Sequence, residues 1–131
     1  MISISELRKL ARARLADAEA LLNAGRLDGA AYVCGYVVEL TLKARICKTL
    51  KWPGYPETRS EFEKLLSFKT HDLEILLRLS GRDRYTRVKL FAEWTAFSGW
   101  TPEDRYNAVG SVSRGDVELM VGAAHTLFRK L

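Results

Sequence analysis

The sequence predicts an all-α fold, an up-and-down bundle of four main helices with one or two short extra helices. Three observations carry this. Apolar residues recur at the three-to-four spacing of a helix face through most of the chain. No stretch alternates apolar and polar residues between hairpin turns, as strands would. The chain has 131 residues, 47% of them hydrophobic, which suits a single domain over 1–131 with one core.

The first helix is expected over 4–24. Ser3 and Glu6 stand at capping-box spacing, and Gly25 supplies a left-handed close. Leu7, Leu10, Ala11, Ala18, Leu21 and Leu22 form its apolar stripe, with Arg14 near the seam.

The second helix is expected over 28–50, with Asp28 as its cap, and should be central. Val33, Val37, Leu40, Ala44 and Cys47 form one stripe. Tyr32, Tyr36, Glu39, Lys43 and Ile46 form another. Gly35 in mid-helix costs up to about 1 kcal/mol relative to alanine, and close approach of another helix is the expected return. Two apolar faces call for partners on two sides, from neighbouring helices or from a second subunit.

Pro53, Gly54 and Pro56 then interrupt the pattern, leaving a loop with Trp52 and Tyr55 free to pack or stack. A short helix over about 61–67 is expected with Ser60 as cap and Glu63 at box spacing. The next is expected from Thr70, as cap, to about 79, ending at Gly81. Another should cover about 83–97. The stretch "SGWTPEDRYNAVGSVS" reads as irregular, with one turn at Pro102. The last helix should start after Ser113 and carry Val117, Met120, Val121, Ala124, Leu127, Phe128 and Leu131 on its inner stripe.

Bulk properties narrow the function classes. Twenty-one basic against 16 acidic residues give a net charge of +5, which favours anionic partners such as nucleic acid or nucleotides. The N-terminus has no long apolar run of a secretory signal, and no segment is long and apolar enough to span a membrane. Cys34 and Cys47 fall on one helix about 20 Å apart, too far to bridge, so buried free thiols and a cytoplasmic setting are expected.

Candidate chemistry lies in four places. His71 and Asp72 are adjacent and point about 100° apart on a helix, so they are no ligand pair; HExxH and CxxC are absent. GxSxG and P-loop motifs are also absent, and neither cysteine sits in a nucleophile motif. No metal or cofactor is therefore expected. Glu39 and Lys43, one turn apart, read either as a structural ion pair or, with Tyr32 and Tyr36 on the same face, as part of a polar groove or a subunit interface. His71 and Asp72 in the first turn of a helix read as a helix start, with Asp72 matched to the dipole and His71 neutral. Arg105 and Tyr106 read as a phosphate contact and a stacking ring, or as a loop tie.

Three stretches, "AAYVCGYVVELTLKARI", "THDLEILLRL" and "WTPEDRYNAV", occur in an order and spacing that resemble the HEPN domain family across essentially the whole chain. The resemblance implies a helical bundle that commonly forms a homodimer, with a groove for nucleotide or RNA. Many such proteins are metal-independent ribonucleases, often toxins paired with a nucleotidyltransferase-type antitoxin. That activity depends on an Arg followed four to six residues later by a His. Here the positions ahead of His125 are Leu119, Met120 and Val121, and those ahead of His71 are Lys64, Leu65 and Leu66. The expected function is thus a non-catalytic module binding a nucleotide, RNA or a partner protein. Glu39, Lys43, His71, Asp72, Arg105 and Tyr106 are its candidate site. A ribonuclease with an atypical site and a pure dimerisation domain are the alternatives.

Overall fold

The computed structural model describes residues 1–131 and is an all-α bundle. Helix α1 spans Ile4–Asn23 and α2 spans Leu27–Leu50. The short connection between them makes an antiparallel pair. Ser3 and Glu6 cap α1 reciprocally as expected, and Gly25 adopts a left-handed φ of +74° just past its end. Leu7, Ala11, Leu15 and Ala18 are its buried residues, so the buried stripe is narrower than expected. Leu10 is 40% exposed, and Arg14 lies off the seam, exposed and paired with Asp17 at 3.3 Å.

Helix α2 is the central element and buries residues around most of its circumference. Helix α1 and the last helix, α7 (Arg114–Lys130), cover two sides, and α4 (Leu73–Leu79) covers a third. Neighbouring helices of the same chain therefore supply the partners its two apolar stripes require. Asp28 is not its cap: the helix starts at Leu27, and the Asp28 carboxylate instead accepts the Gly110 amide at 2.8 Å. Ser113 caps α7 by accepting the Asp116 amide at 3.2 Å, and Val117, Val121, Ala124, Leu127 and Phe128 are buried as expected.

The segment after α2 departs from expectation. Ile2–Ser3 (β1) pairs antiparallel with Gly54–Tyr55 (β2). Gly54 permits this, because a Cβ there would lie 2.7 Å from the Ile2 carbonyl oxygen. Tyr55 is buried and donates its hydroxyl to the Phe68 carbonyl at 2.6 Å, so it is a packing residue. Helix α3 is Arg59–Phe62 with Thr58, not Ser60, as its cap, and a 3₁₀ turn follows at Leu66–Phe68.

The helix expected over 83–97 is two helices, α5 (Asp83–Lys89) and α6 (Phe91–Thr95), broken at Leu90 with φ −128° and ψ 34°. The break leaves Leu90 and Trp94 buried, and α6 packs on α7. Helix α4 packs on α2, α6 packs on α7, and α5 packs on α6. Residues 102–106 form the expected turn, a 3₁₀ helix opened by Thr101 and Asp104. No helix is long and apolar enough to cross a membrane.

Candidate functional site

The site begins on α2, where Tyr32, Tyr36, Glu39 and Lys43 succeed one another at three or four residues and so share a face. Glu39 is only 3% exposed. Such a burial is strongly unfavourable for a carboxylate without partners. The structure gives one of its oxygens two. Lys43 Nζ donates to Oε1 at 2.8 Å, and His71 Nδ1 lies 2.7 Å from the same oxygen. With a carboxylate as acceptor, Nδ1 carries the proton and donates. Nε2 makes no hydrogen bond within the chain. Glu39 Oε2 is buried without a partner. The His71 side chain is 64% exposed, so the imidazole joins a buried carboxylate to open solvent.

The chain before α4 sets this position. Thr70 Oγ1 accepts the Asp72 amide at 3.0 Å. Asp72 Oδ1 then accepts the amides of Glu74 at 2.9 Å and Ile75 at 3.2 Å, which makes Asp72 the N-cap. The expected cap, Thr70, is thus two residues too early. A carboxylate facing two free amides at the positive end of a helix outcompetes a hydroxyl. His71 accordingly stands outside the helix, and Glu39 rather than the helix dipole fixes its tautomer.

His71, Asp72 and Lys69 form one wall of a cleft of about 840 Å³, and the 97–105 segment forms the other. Tyr36 and Trp100 give it aromatic surface, and Arg105 puts a cation at its edge. Arg105 Nη1 donates to the Pro102 carbonyl at 2.9 Å, and its guanidinium carbon lies 4.7 Å from the centre of the Tyr106 ring. Tyr106, and after it Tyr32, favour the charged form and raise the Arg105 pKa above the ordinary arginine value. Tyr106 itself is 76% exposed and is not part of the cleft wall.

Trp100 is the partition. Its ring lies directly over Gly35, where a Cβ would fall 1.8 Å from Cε2. The close approach expected at Gly35 is therefore that of an indole, not of another helix. The Tyr36 ring meets Trp100 edge-on at 5.3 Å, and the Tyr36 hydroxyl lies 3.0 Å from that of Tyr32. Burial, and then Tyr32, push the Tyr36 phenol up to about 12. A second cleft of about 460 Å³, with Asp28 and Tyr32 in its wall, shares Trp100 and Arg105 with the first.

Of the six residues expected from sequence, the fold brings Glu39, Lys43 and His71 into hydrogen-bond contact. It places Asp72 and Arg105 on the same cleft as His71, and it leaves Tyr106 outside, against Arg105. Lys43 is spent on Glu39, is 17% exposed, and sits 5.2 Å from the centre of the Tyr55 ring. Sequence reasoning had paired Tyr36 with Glu39 and Lys43 but missed Trp100; Gly35 was the signal for it. It also missed the Trp94 indole, which donates to Glu74 at 2.8 Å at one end of the cleft. His125 lies on α7, 3.9 Å from Glu19, and lines neither cleft. No three His, Cys, Asp or Glu side chains converge as a metal site.

Fold and site together define a class, an all-α bundle whose central helix holds, through a buried carboxylate, an imidazole at the wall of a polar, partly aromatic cleft. The HEPN domain family model matches residues 4–130, nearly the whole chain, and the chain belongs to that family. Membership points to an RNA- or nucleotide-related role, and HEPN domains often dimerise. No curated protein and no solved structure matches the chain.

Proposed function

We propose that this chain is a non-catalytic HEPN domain that binds a nucleotide or an RNA segment in the cleft between His71 and Arg105, and that it works as a homodimer. One observation carries the reading. A single cleft combines a cation, an imidazole anchored on a buried carboxylate, and the aromatic surface of Tyr36 and Trp100. Arg105 neutralises phosphate, Tyr106 stacks on a base beside it, and His71 accepts a hydrogen bond through Nε2. Glu39 orients His71, Asp72 fixes the helix start beside it, and Lys43 balances the Glu39 charge.

Titration with fluorescently labelled nucleotides and short single-stranded RNA at low salt tests the binding. Arg105→Ala lowers affinity roughly tenfold or more, the size of one charge-assisted hydrogen bond, and His71→Ala lowers it roughly fivefold, the size of an ordinary one. Absence of binding by the wild type at low salt overturns the reading. A dimer mass by light scattering at micromolar concentration supports the homodimer, and a monomer mass refutes it.

A metal-independent ribonuclease is the second reading. What favours it is Glu39 holding His71 with Nε2 free at the cleft, an arrangement suited to proton abstraction from a ribose hydroxyl. The absence of the Arg-to-His motif counts against it. Incubation with total RNA decides the matter. Equal background from wild type and the His71→Ala, Arg105→Ala double variant rules it out.

A further inference from the structure

A third cleft, different in composition from the two around Trp100, opens where the start of α1 meets the ends of α2 and α7. Its volume is about 340 Å³, and it is lined by Arg8, Arg45, Lys48, Arg129 and Lys130, with apolar residues completing the wall. It shares no residue with the clefts around Trp100. No acidic side chain lines it, and none of the five cations takes part in an ion pair.

Helix dipoles account for part of this. Lys48, Arg129 and Lys130 stand in the last turns of α2 and α7, where a positive charge is favourable. They do not account for Arg8, which stands in the second turn of α1, away from any helix C-terminus. Nor do they account for Arg45, which is half-buried among the other bases. Arg45 Nε is buried with no acceptor, a state that is unfavourable for any polar group and more so for a charged one. Burial, and then the nearby Arg82 guanidinium, depress the Arg45 pKa; burial, and then Arg12, do the same to Arg8. The Arg8 guanidinium carbon sits over the Phe128 ring, 4.0 Å from its centre, so its position is set in advance. Unpaired, desolvated and pre-oriented guanidinium groups in a concave site are matched by one ligand chemistry, a multivalent oxyanion that accepts several donors at once.

We propose that this cleft is a phosphate-binding site, taking the phosphate groups of a polyphosphate-bearing small molecule or of a nucleic-acid strand. Arg45 and Arg8 donate to the phosphate oxygens, while Lys48, Arg129 and Lys130 neutralise the remaining charge. The site is independent of the His71 cleft and does not require that reading to hold.

Calorimetric titration of the full chain at low salt with inorganic tripolyphosphate, and in parallel with short single-stranded RNA, tests it. The Arg8→Gln, Arg45→Gln variant should lose roughly tenfold or more in affinity, while Lys9→Gln, exposed and outside the cleft, should stay within about twofold. Loss in the tripolyphosphate arm identifies a small phosphate ligand. Loss in the RNA arm alone, with the salt slope reduced by about 0.7 for each cation removed, identifies a strand. Either result supports the site. Amide chemical shifts of the wild type give a reading that does not depend on the variant folding. Tripolyphosphate or RNA should shift residues around Arg45, Lys48 and Arg129. No binding in either arm, unchanged affinity in a folded variant, or shifts confined to the His71 cleft would overturn the proposal.

Discussion

Replacing Gly35 by alanine should destabilise the protein, against the ordinary trend. In a helix interior this exchange is favourable by about 1 kcal/mol. Here the added Cβ would stand 1.8, 2.2 and 2.3 Å from Cε2, Cδ2 and Cζ2 of Trp100, where an ordinary contact begins near 3.4 Å. The ring cannot yield freely, because it is 8% exposed and already meets Tyr36 edge-on at 5.3 Å. Overpacking of this kind is unfavourable by about 1–3 kcal/mol, and complete expulsion of the indole by about 3–5 kcal/mol. With contacts this short the indole has to leave its site, and after the propensity gain the net loss is about 2–4 kcal/mol. Urea unfolding measures it. With a slope of about 1–3 kcal/mol per molar, the midpoint falls by roughly 1–2 M. The intrinsic fluorescence should also change as the indole moves toward solvent. The decisive control is the Trp100→Ala background, where the clash is gone and Gly35→Ala becomes neutral or stabilising by up to about 1 kcal/mol. A Gly35→Ala protein as stable as wild type would refute the reasoning, as would equal destabilisation in both backgrounds. Because Trp100 walls both clefts, the same variant should weaken nucleotide or RNA binding.

Glu39→Gln should lower stability by about 1–3 kcal/mol in urea, since it leaves Lys43 half-buried without its counter-charge. His71→Ala, on a side chain 64% exposed, should change stability by no more than about 0.5 kcal/mol while weakening binding; equal stability losses in the two variants would show that His71 is structural. Burial raises the Cys34 thiol from 9.0 to about 12 and the Cys47 thiol from 9.0 to about 11. Raised folded values mean that this stability is intact below pH 9 and is lost as pH rises from about 9 through 12, so the urea midpoint should fall there. Both thiols should resist an aromatic disulfide reagent at pH 8 until the protein is unfolded. At Glu74, desolvation pushes the carboxyl up, but the Trp94 indole and Arg87 outweigh it and hold it below its ordinary value of 4.5. A lowered folded value contributes stability above that pH and loses it as pH falls, so Trp94→Phe should make stability less sensitive to acid; an unchanged acid profile would contradict this.

Much of the fold was legible because its causes are local. Helix α1 is capped by residues three apart, and α7 carries its own stripe and its own cap. Such features depend on the spacing of a few neighbouring residues, which a sequence displays directly. The α5–α6 break was not legible, because the 83–97 pattern is helical throughout and only packing on α7 favours the kink at Leu90. The β1–β2 pair escaped notice for a related reason. Two residues at each end of a 50-residue separation carry no periodic signal.

The candidate site divides in the same way. The sequence by itself determined the all-α bundle, the Glu39–Lys43 pair one turn apart, the isolated histidines and the missing Arg-to-His spacing, all properties of order and short-range separation. Only the tertiary structure decided that Glu39 receives His71 across 32 residues, that Asp72 and not Thr70 caps α4, and that the Trp100 ring occupies the space over Gly35. It also brought five unpaired cations from three helix ends into one cleft. The physical reason is that a helix face specifies which residues look outward together, whereas the partner across the gap depends on how the helices and loops around it pack.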